Sequence, residues 1–176
     1  QAAAIAAEAY GQYTNRLGVA LVTTGPGGTN TVTGVAGAWI DSTPMLVVSG
    51  QAKREDMLTG RGVRQMGIQE VDVVSVVSPI TKYAACVRDP EKIKYHLERA
   101  LYEATTPRRG PVWLEIPLDV QGAMIDGRKL IGFTPPRQKP PNAALAPAAD
   151  KILRLLSASR RPVVLAGNGI RADNSM

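Results

Sequence analysis

The chain has 176 residues, 44% of them hydrophobic and 5% aromatic, a composition that excludes an intrinsically disordered protein and suits one full domain with the start of another. Its one cysteine, Cys86, excludes an internal disulfide framework and indicates a reducing compartment, so we expect a cytoplasmic protein. The net charge of +6 comes from residues 126–176, which hold 9 basic and 3 acidic residues, whereas residues 1–125 hold 12 of each. No nucleic-acid motif or membrane-length apolar run accompanies this charge, which favours a solvated linker and helix face over a nucleic-acid or membrane surface.

The first half of the chain alternates helical and strand-like segments. Residues 1–15 are rich in alanine and predict a helix, and GVALVTT predicts a strand buried on both faces. GPGG then predicts a turn, TNTVTGVAGAWI a helix, and MLVVSG a second buried strand. We expect the small residues of this second helix to pack closely on the sheet: Gly34, Ala36, Gly37 and Ala38.

The alternation continues after a long polar loop. IQEVDVVSVV predicts a short helix with Val71, Val74 and Val77 on one face, and ITKYAACV predicts a strand. Residues 89–106 predict an amphipathic helix capped by Asp89, and PVWLEIP predicts a further strand. Strands that alternate with helices predict the α/β class, with a mostly parallel sheet and helices on both faces.

The chain divides into three parts. Residues 1–125 form the first domain, 126–146 a Pro-rich linker, and 147–176 the start of a second α/β domain with a helix and the strand RPVVLAGNG. Gln1 already lies inside a helical pattern, so we expect the sequence to be a fragment of a longer protein.

The glycine-rich turn GPGGTN invites a test for phosphate binding. A dinucleotide-binding loop requires G-x-G-x-x-G, but Asn30 occupies the third glycine position and Pro26 removes a backbone donor. The pattern therefore favours either a turn that packs a helix on the sheet or a site for something other than a phosphate.

Several stretches in the same order resemble the N-terminal, pyrimidine-binding domain of thiamine-diphosphate enzymes. They are QAAAIAAEAYGQYTNRLGVALVTTGPGGTNTVTGVAGAWIDSTPMLVVSGQ, IQEVDVVSVVSPITKYAACVRDPEKI and RRGPVWLEIPLDVQ. They look most like the acetolactate synthase large subunit, over about residues 1–122, while RPVVLAGNGI resembles the opening of that family's central domain.

The resemblance implies an enzyme that uses thiamine diphosphate to decarboxylate a 2-keto acid such as pyruvate. The resulting enamine then adds to a second keto acid. It also implies a homodimer or homotetramer, a regulatory small subunit as a candidate partner, and FAD as a candidate second cofactor. The Mg²⁺ and diphosphate motif of the family is absent, so we expect that site outside this chain and the fragment alone to be inactive.

The resemblance also assigns residues. The family's catalytic glutamate belongs immediately before Gln1, so no catalytic residue is expected in this chain and Glu8 is expected at the surface. Cofactor binding is assigned to Pro26 and Asn30, which match positions on the pyrimidine, and to Gln69, which matches a glutamine near the reacting carbon.

Further positions have open alternatives. Gln51 and Lys82 are expected at strand ends beside the site, as lining or as structural residues. The glycine loop at Gly167, Asn168 and Gly169 would contact FAD if FAD is bound. His96 is expected in solvent and Cys86 near the core, with no metal cluster.

One position departs from the family pattern. Ile68 stands where acetolactate synthases usually have Phe, which leaves open another thiamine-dependent decarboxylase or lyase, or a non-catalytic relative.

Overall fold

The computed structural model describes residues 1–58, 62–137 and 143–172. Three short 3₁₀ turns lie at Arg54–Asp56, Ser78–Ile80 and Pro90–Lys92. The helices and strands are α1 (Ala2–Thr14), β1 (Gly18–Val22), α2 (Pro26–Thr29), α3 (Val32–Asp41), β2 (Met45–Gln51), α4 (Val73–Val77), β3 (Tyr83–Cys86), α5 (Ile93–Thr105), β4 (Pro111–Pro117), α6 (Leu118–Gln121), α7 (Leu145–Ala158) and α8 (Gly169–Ala172).

The four strands form one parallel sheet in the order β1-β2-β4-β3. Met45 pairs with Gly18 on one side and with Pro111 on the other, whereas Gln51 pairs with Pro117. All amino ends therefore lie at one edge of the sheet and all carboxyl ends at the opposite edge. The predicted α/β class with a parallel sheet is confirmed.

Two hydrophobic cores cover the two faces of this sheet. One face packs against α1, α3 and α4 and buries Trp113 at its centre, and the other packs against α5 and α6. The strands supply both cores because successive side chains point to opposite faces: Met45 and Val47 belong to the first core and Leu46 to the second. Helices on both faces are as predicted.

Strand β1 differs from the prediction of burial on both faces. Val19 is 57% exposed and Leu21 is 77% exposed, whereas Ala20 between them is buried. β1 is an edge strand, and no described helix covers the face to which Val19 and Leu21 point. A continuous apolar run does not distinguish an edge strand from a central one.

The small residues of α3 also act differently from the prediction. A Cβ added to Gly34 would lie 2.9 Å from the Cβ of Ala4, and one added to Gly37 would lie 3.3 Å from Glu8 Oε1. These glycines therefore let α3 approach α1 and not the sheet, while Ala38 is buried in the core between them.

This geometry predicts opposite effects for two substitutions in one helix. We expect Gly34→Ala to destabilise the fold by about 1–3 kcal/mol, because its methyl group would overlap Ala4 in the adjacent helix. Gly37→Ala meets only the flexible end of Glu8, so we expect it to be neutral or stabilising by about 0.5–1 kcal/mol through helix propensity. Urea denaturation followed by circular dichroism measures both, and equal effects of the two substitutions would contradict the α1–α3 contact.

A side-chain cap begins α4 and also the 3₁₀ turn Pro90–Lys92 that leads into α5, while α5 itself has no side-chain cap. α4 starts at Val73 after Asp72, whose carboxylate accepts from Ser75 N at 3.1 Å, so its buried pair is Val73 and Val77. Val71 lies before the helix, which corrects the predicted face of Val71, Val74 and Val77. Asp89 accepts from Glu91 N at 3.1 Å, as predicted for the start of the helical region that continues into α5.

The C-terminal part departs from the prediction at the strand RPVVLAGNG. Helix α7 forms as expected, but residues 162–167 form no strand, and Val163 and Leu165 are 92% and 98% exposed. A strand needs a hydrogen-bonded neighbour, and none of the four described strands pairs with this segment. None of the described helices is long and apolar enough to cross a lipid bilayer.

Part of the predicted linker is fixed to the first domain. The ring of Phe133 packs against Tyr95 and Tyr102, with centroids 5.7 and 5.4 Å away, and its backbone N–H donates to Glu98 Oε2 at 2.7 Å. The predicted solvated linker is therefore interrupted at Phe133, because an isolated aromatic residue in a polar stretch finds its partners on α5, whereas residues 127–129 and Ile131 are exposed.

Candidate functional site

The glycine turn lies at the carboxyl edge of the sheet, directly after β1. Gly25 has φ 55° and ψ −114°, a conformation open essentially to glycine alone. A Cβ on Gly25 would lie 1.8 Å from the carbonyl oxygen of Gln69. The turn and the segment around Gln69 therefore touch backbone to backbone, although 44 positions separate them in the sequence.

This contact brings together the three residues predicted to bind the cofactor. Pro26 is the first residue of α2 and Asn30 follows its last, and both are exposed. Gln69 is also exposed and has φ 57°, an unusual conformation for a residue other than glycine. The side-chain amides of Asn30 and Gln69 make no hydrogen bond with any other described residue, which leaves their donors and acceptors available to a ligand.

The carboxylate of Glu70 shapes the segment that carries Gln69. Glu70 Oε2 accepts from the backbone N–H groups of Met66 and Gly67, both at 3.2 Å. Its Oε1 accepts from the backbone N–H of Leu58. One side chain thus closes the loop on itself, and this closure supports the left-handed conformation of Gln69.

Gln51 lies at the same edge, as the last residue of β2, and is 4% exposed. Its Oε1 accepts from Thr24 Oγ1 at 2.9 Å and from Ala52 N at 2.8 Å. Its Nε2 donates to Val71 O at 3.0 Å and to Glu115 Oε1 at 2.9 Å. Gln51 thus lies at the same edge of the sheet as the glycine turn, its amide is fully engaged with the protein, and its part in the site stays a prediction.

Glu115 is a feature of this edge that the sequence interpretation missed. It lies on β4, is 2% exposed, and neighbours Cys86 of β3 in the register. Burial raises the pKa of the Glu115 carboxyl to about 6, and burial together with this carboxyl raises the pKa of the Cys86 thiol to about 12. The signal was present, because PVWLEIP places one acid in an otherwise apolar strand.

The raised pKa predicts a pH dependence of stability. The folded protein holds the Glu115 proton more tightly than the unfolded chain, whose glutamate has a pKa of 4.5. The free energy of unfolding should therefore fall by about 2 kcal/mol in total as the pH rises from about 3 to about 8, most steeply between about 4.5 and about 6. In Glu115→Gln this fall should disappear, and the variant should be at least as stable as the wild type at pH 8.

Urea denaturation across that pH range measures the difference between the two proteins. Glu91→Gln, at an exposed position, is the control and should keep the wild-type profile. Parallel profiles for the wild type and Glu115→Gln would contradict the assignment.

An open cavity of about 740 Å³ lies beside the turn at the carboxyl ends of β1, β2 and β4. Its lining continues into the candidate site at two points, since Thr24 precedes Gly25 and Ile68 precedes Gln69. The walls are mainly apolar, with Leu21, Val48 and Ile116 beneath and Ile68 86% exposed at the rim. A mainly apolar cavity with a few polar groups is typical of small-molecule sites.

Lys82 does not join this group, which corrects its predicted position. Its backbone N–H donates to Pro111 O at the amino edge of the sheet, opposite the candidate site. Its amine donates to the carbonyl oxygens of Glu103 and Thr106 at the end of α5, and burial lowers the pKa of this amine. Lys82 thus closes a helix terminus by supplying donors to its last carbonyl groups.

The glycine loop predicted to contact FAD lies far along the chain at Gly167, Asn168 and Gly169. Asn168 Nδ2 donates to the carbonyl oxygen of Asp41 at 2.7 Å, so this amide is used at the end of α3. A Cβ on Gly167 or Gly169 would meet no atom within 4 Å. FAD binding at this loop stays a prediction.

Two acid–base residues of the sequence lie outside the site. His96 is half-buried and its Nδ1 lies 2.5 Å from the hydroxyl of Tyr83, so the prediction of a solvated histidine is wrong. Burial lowers the pKa of His96, and nearby Arg99 and Lys92 lower it further. Glu8 is half-buried between α1 and α3, where its Oε1 accepts from Gln12 Nε2 at 2.9 Å.

Comparison with known protein families identifies the class of protein in which this arrangement occurs. The family model "Thiamine pyrophosphate enzyme, N-terminal TPP binding domain" matches residues 1–76, which include the glycine turn and Gln69. This match, together with the relatives described next, shows that the chain belongs to the thiamine pyrophosphate enzymes, and residues 1–76 match their N-terminal cofactor-binding domain.

Within this family, the chain is similar to acetolactate synthases. The chain is 34% identical to an acetolactate synthase of Arthrospira platensis over 96% of its length, and 35% identical to the acetolactate synthase large subunit of Lactococcus lactis over 100%. It is also 37% identical to a probable acetolactate synthase large subunit of Methanocaldococcus jannaschii over 97% of its length. It spans 28%, 30% and 28% of these curated relatives, respectively.

Proposed function

We propose that this chain forms the pyrimidine side of the cofactor site in an acetolactate-synthase-like enzyme. The enzyme decarboxylates a 2-keto acid such as pyruvate and joins the remaining unit to a second 2-keto acid. The observation that carries the proposal is the backbone contact between Gly25 and Gln69, which gathers Pro26, Asn30 and Gln69 beside a 740 Å³ cavity.

The residues present fit a neutral aromatic ring. Pro26 offers an exposed saturated ring surface, and Asn30 and Gln69 offer amides without partners among the described residues. An aminopyrimidine carries both donors and acceptors and no net charge, so amides suit it better than charged side chains would. The loop has the wrong chemistry for a diphosphate, since Pro26 lacks an N–H.

Bound thiamine diphosphate supplies the electron sink for decarboxylation, and the residues of this chain supply its surroundings. Pro26 and Asn30 hold the ring from the turn, while Gln69 offers its amide to an oxygen of the keto acid. Leu21, Val48 and Ile116 form an apolar wall of the open cavity beside the ring.

The remaining parts of the active protein complete the proposal. Mg²⁺ and the diphosphate are bound by a domain outside this chain, and the cofactor lies between two subunits of a homodimer or homotetramer. The 176 residues alone are therefore inactive. FAD and a regulatory small subunit belong to the same proposal as further partners.

The deciding experiment gives the full-length protein thiamine diphosphate, Mg²⁺ and pyruvate. Acetolactate formation with release of carbon dioxide is the expected result, and the absence of both would overturn the proposal. Calorimetric titration of the isolated 176 residues tests the partial site, since micromolar binding of the cofactor there would contradict it.

The amide of Gln69 gives a sharper test. In the full-length enzyme we expect Gln69→Glu to raise the KM for pyruvate about tenfold, because the new carboxylate repels the substrate carboxylate and lacks the amide donors. Gln65→Glu adds the same charge to the same exposed loop and is the control. Steady-state kinetics compare the two, and equal effects would show that Gln69 has no special place in the site.

Ile68 favours a second candidate, a different thiamine-dependent decarboxylase or lyase. Its side chain is 86% exposed at the cavity rim, one residue before Gln69. Because acetolactate synthases usually have Phe here, Ile68 bears on which second substrate the enzyme accepts. A panel of keto acids scored for acetolactate against aldehyde distinguishes the two reactions.

A further inference from the structure

We infer that Gln51 is a positioning residue of this site, which holds the segment of Gln69 against the glycine turn through its side-chain amide. The inference rests on the proposed function. It gives a role to a residue whose amide bonds Thr24, directly before Gly25, and Val71, two residues after Gln69.

The hydrogen bonds of Gln51 place it between the two segments. Thr24, whose hydroxyl donates to Gln51 Oε1, immediately precedes Gly25. Val71, whose carbonyl accepts from Gln51 Nε2, follows Gln69 by two residues. One buried side chain therefore links Thr24, directly before Gly25, to Val71, two residues after Gln69.

The orientation of this amide is fixed by groups that cannot change roles. The backbone N–H of Ala52 can only donate and the carbonyl of Val71 can only accept, so Oε1 must face Ala52 and Nε2 must face Val71. Glu115 completes the set by accepting from Nε2 at 2.9 Å. At 4% exposure, water cannot replace these partners if the amide is lost.

The hydrogen bond between Gln51 and Glu115 allows a set of variants that separates two effects of Gln51: its effect on the stability of the fold and its effect on the position of the Gln69 segment. In Gln51→Glu, the Val71 carbonyl loses its donor, and the contact with the Glu115 carboxylate is kept only if the pair takes up a proton. In the double variant Gln51→Glu/Glu115→Gln, the new amide at 115 donates to the new carboxylate at 51, while Thr24 and Ala52 keep their acceptor. Only the Val71 carbonyl remains without its donor.

The test uses the full-length protein and three measurements: the thermal midpoint, the Kd of thiamine diphosphate with Mg²⁺, and hydrogen exchange of residues 66–74. We expect Gln51→Glu to lower the midpoint and raise the Kd about tenfold or more. The double variant should recover the midpoint, yet keep a Kd raised about tenfold and faster exchange at residues 69–71. Glu115→Gln alone keeps the Val71 bond, so its Kd should stay within about twofold of the wild type.

The outcomes distinguish a positioning role of Gln51 from a purely structural role. Recovery of midpoint, Kd and exchange together in the double variant would reduce Gln51 to a structural residue and overturn the inference. An unchanged Kd in Gln51→Glu, with cofactor binding intact in the wild type, would overturn it as well. If the wild type itself does not bind thiamine diphosphate, the proposed function and the inference both fail.

Discussion

Gly25→Ala should unfold the glycine turn and abolish cofactor binding. The new methyl group would lie 1.8 Å from the carbonyl oxygen of Gln69, and the backbone at φ 55° and ψ −114° is strained for any residue with a Cβ. We expect a loss of about 2–5 kcal/mol in the free energy of unfolding, from strain and overlap together. The Kd for thiamine diphosphate in the full-length protein should rise beyond the measurable range.

Gly127→Ala is the matched control, because a Cβ there meets no atom within 4 Å. Urea denaturation gives the stability of both variants, and calorimetric titration gives the cofactor affinity. Wild-type cofactor affinity in Gly25→Ala would show that the contact between the turn and Gln69 is not needed for the site.

Trp113→Ala should cause the second large loss. Trp113 is fully buried in the core between the sheet and α1, α3 and α4, and its Nε1 donates to Ser49 Oγ at 3.0 Å. Its ring also packs beneath Gly28 of the glycine turn. We expect about 3–5 kcal/mol of destabilisation, because the cavity adds to the lost burial and leaves Ser49 without its donor.

Two further variants give this prediction its controls. Trp113→Phe retains most of the volume and should lose less than half as much stability. Trp39→Ala removes a tryptophan that is 41% exposed on α3 and should also cost well under half as much. Circular dichroism follows unfolding in all three, since fluorescence would change with the tryptophan itself. Comparable losses for Trp113→Ala and Trp39→Ala would contradict the central place of Trp113.

The sequence predicted the fold where local patterns decide it. The α/β class, the strands β2 and β4 and the capped start of the α5 region all follow from apolar runs, glycine boundaries and the Asp89 cap. The sequence did not predict which strand lies at the edge, since the exposure of Val19 and Leu21 depends on which helices cover the sheet. It also placed Gly34 and Gly37 of α3 against the sheet, whereas they face α1, because closeness to α1 is a tertiary property.

The residues of the candidate site stay a prediction from the sequence, and their geometry was not predicted. Pro26, Asn30 and Gln69 were assigned through a resemblance, and no pattern showed that Gly25 and Gln69 touch across 44 positions. The buried pair of Gln51 and Glu115 was missed, since a single acid in an apolar strand does not reveal its partner. Lys82 was expected at the carboxyl edge of the sheet but lies at the amino edge. It precedes β3, and in a parallel sheet the amino end of each strand lies opposite the candidate site.

The anchored Phe133 changes the physical length of the tether between the two parts of the chain. The Pro-rich segment was expected to begin at residue 126, but the aromatic contacts on α5 fix the chain as far as Phe133. Taking these eight residues out of the tether shortens its maximum reach by about 27 Å. The chain that follows Phe133 is therefore held closer to α5 than a chain that is free from residue 126 onward.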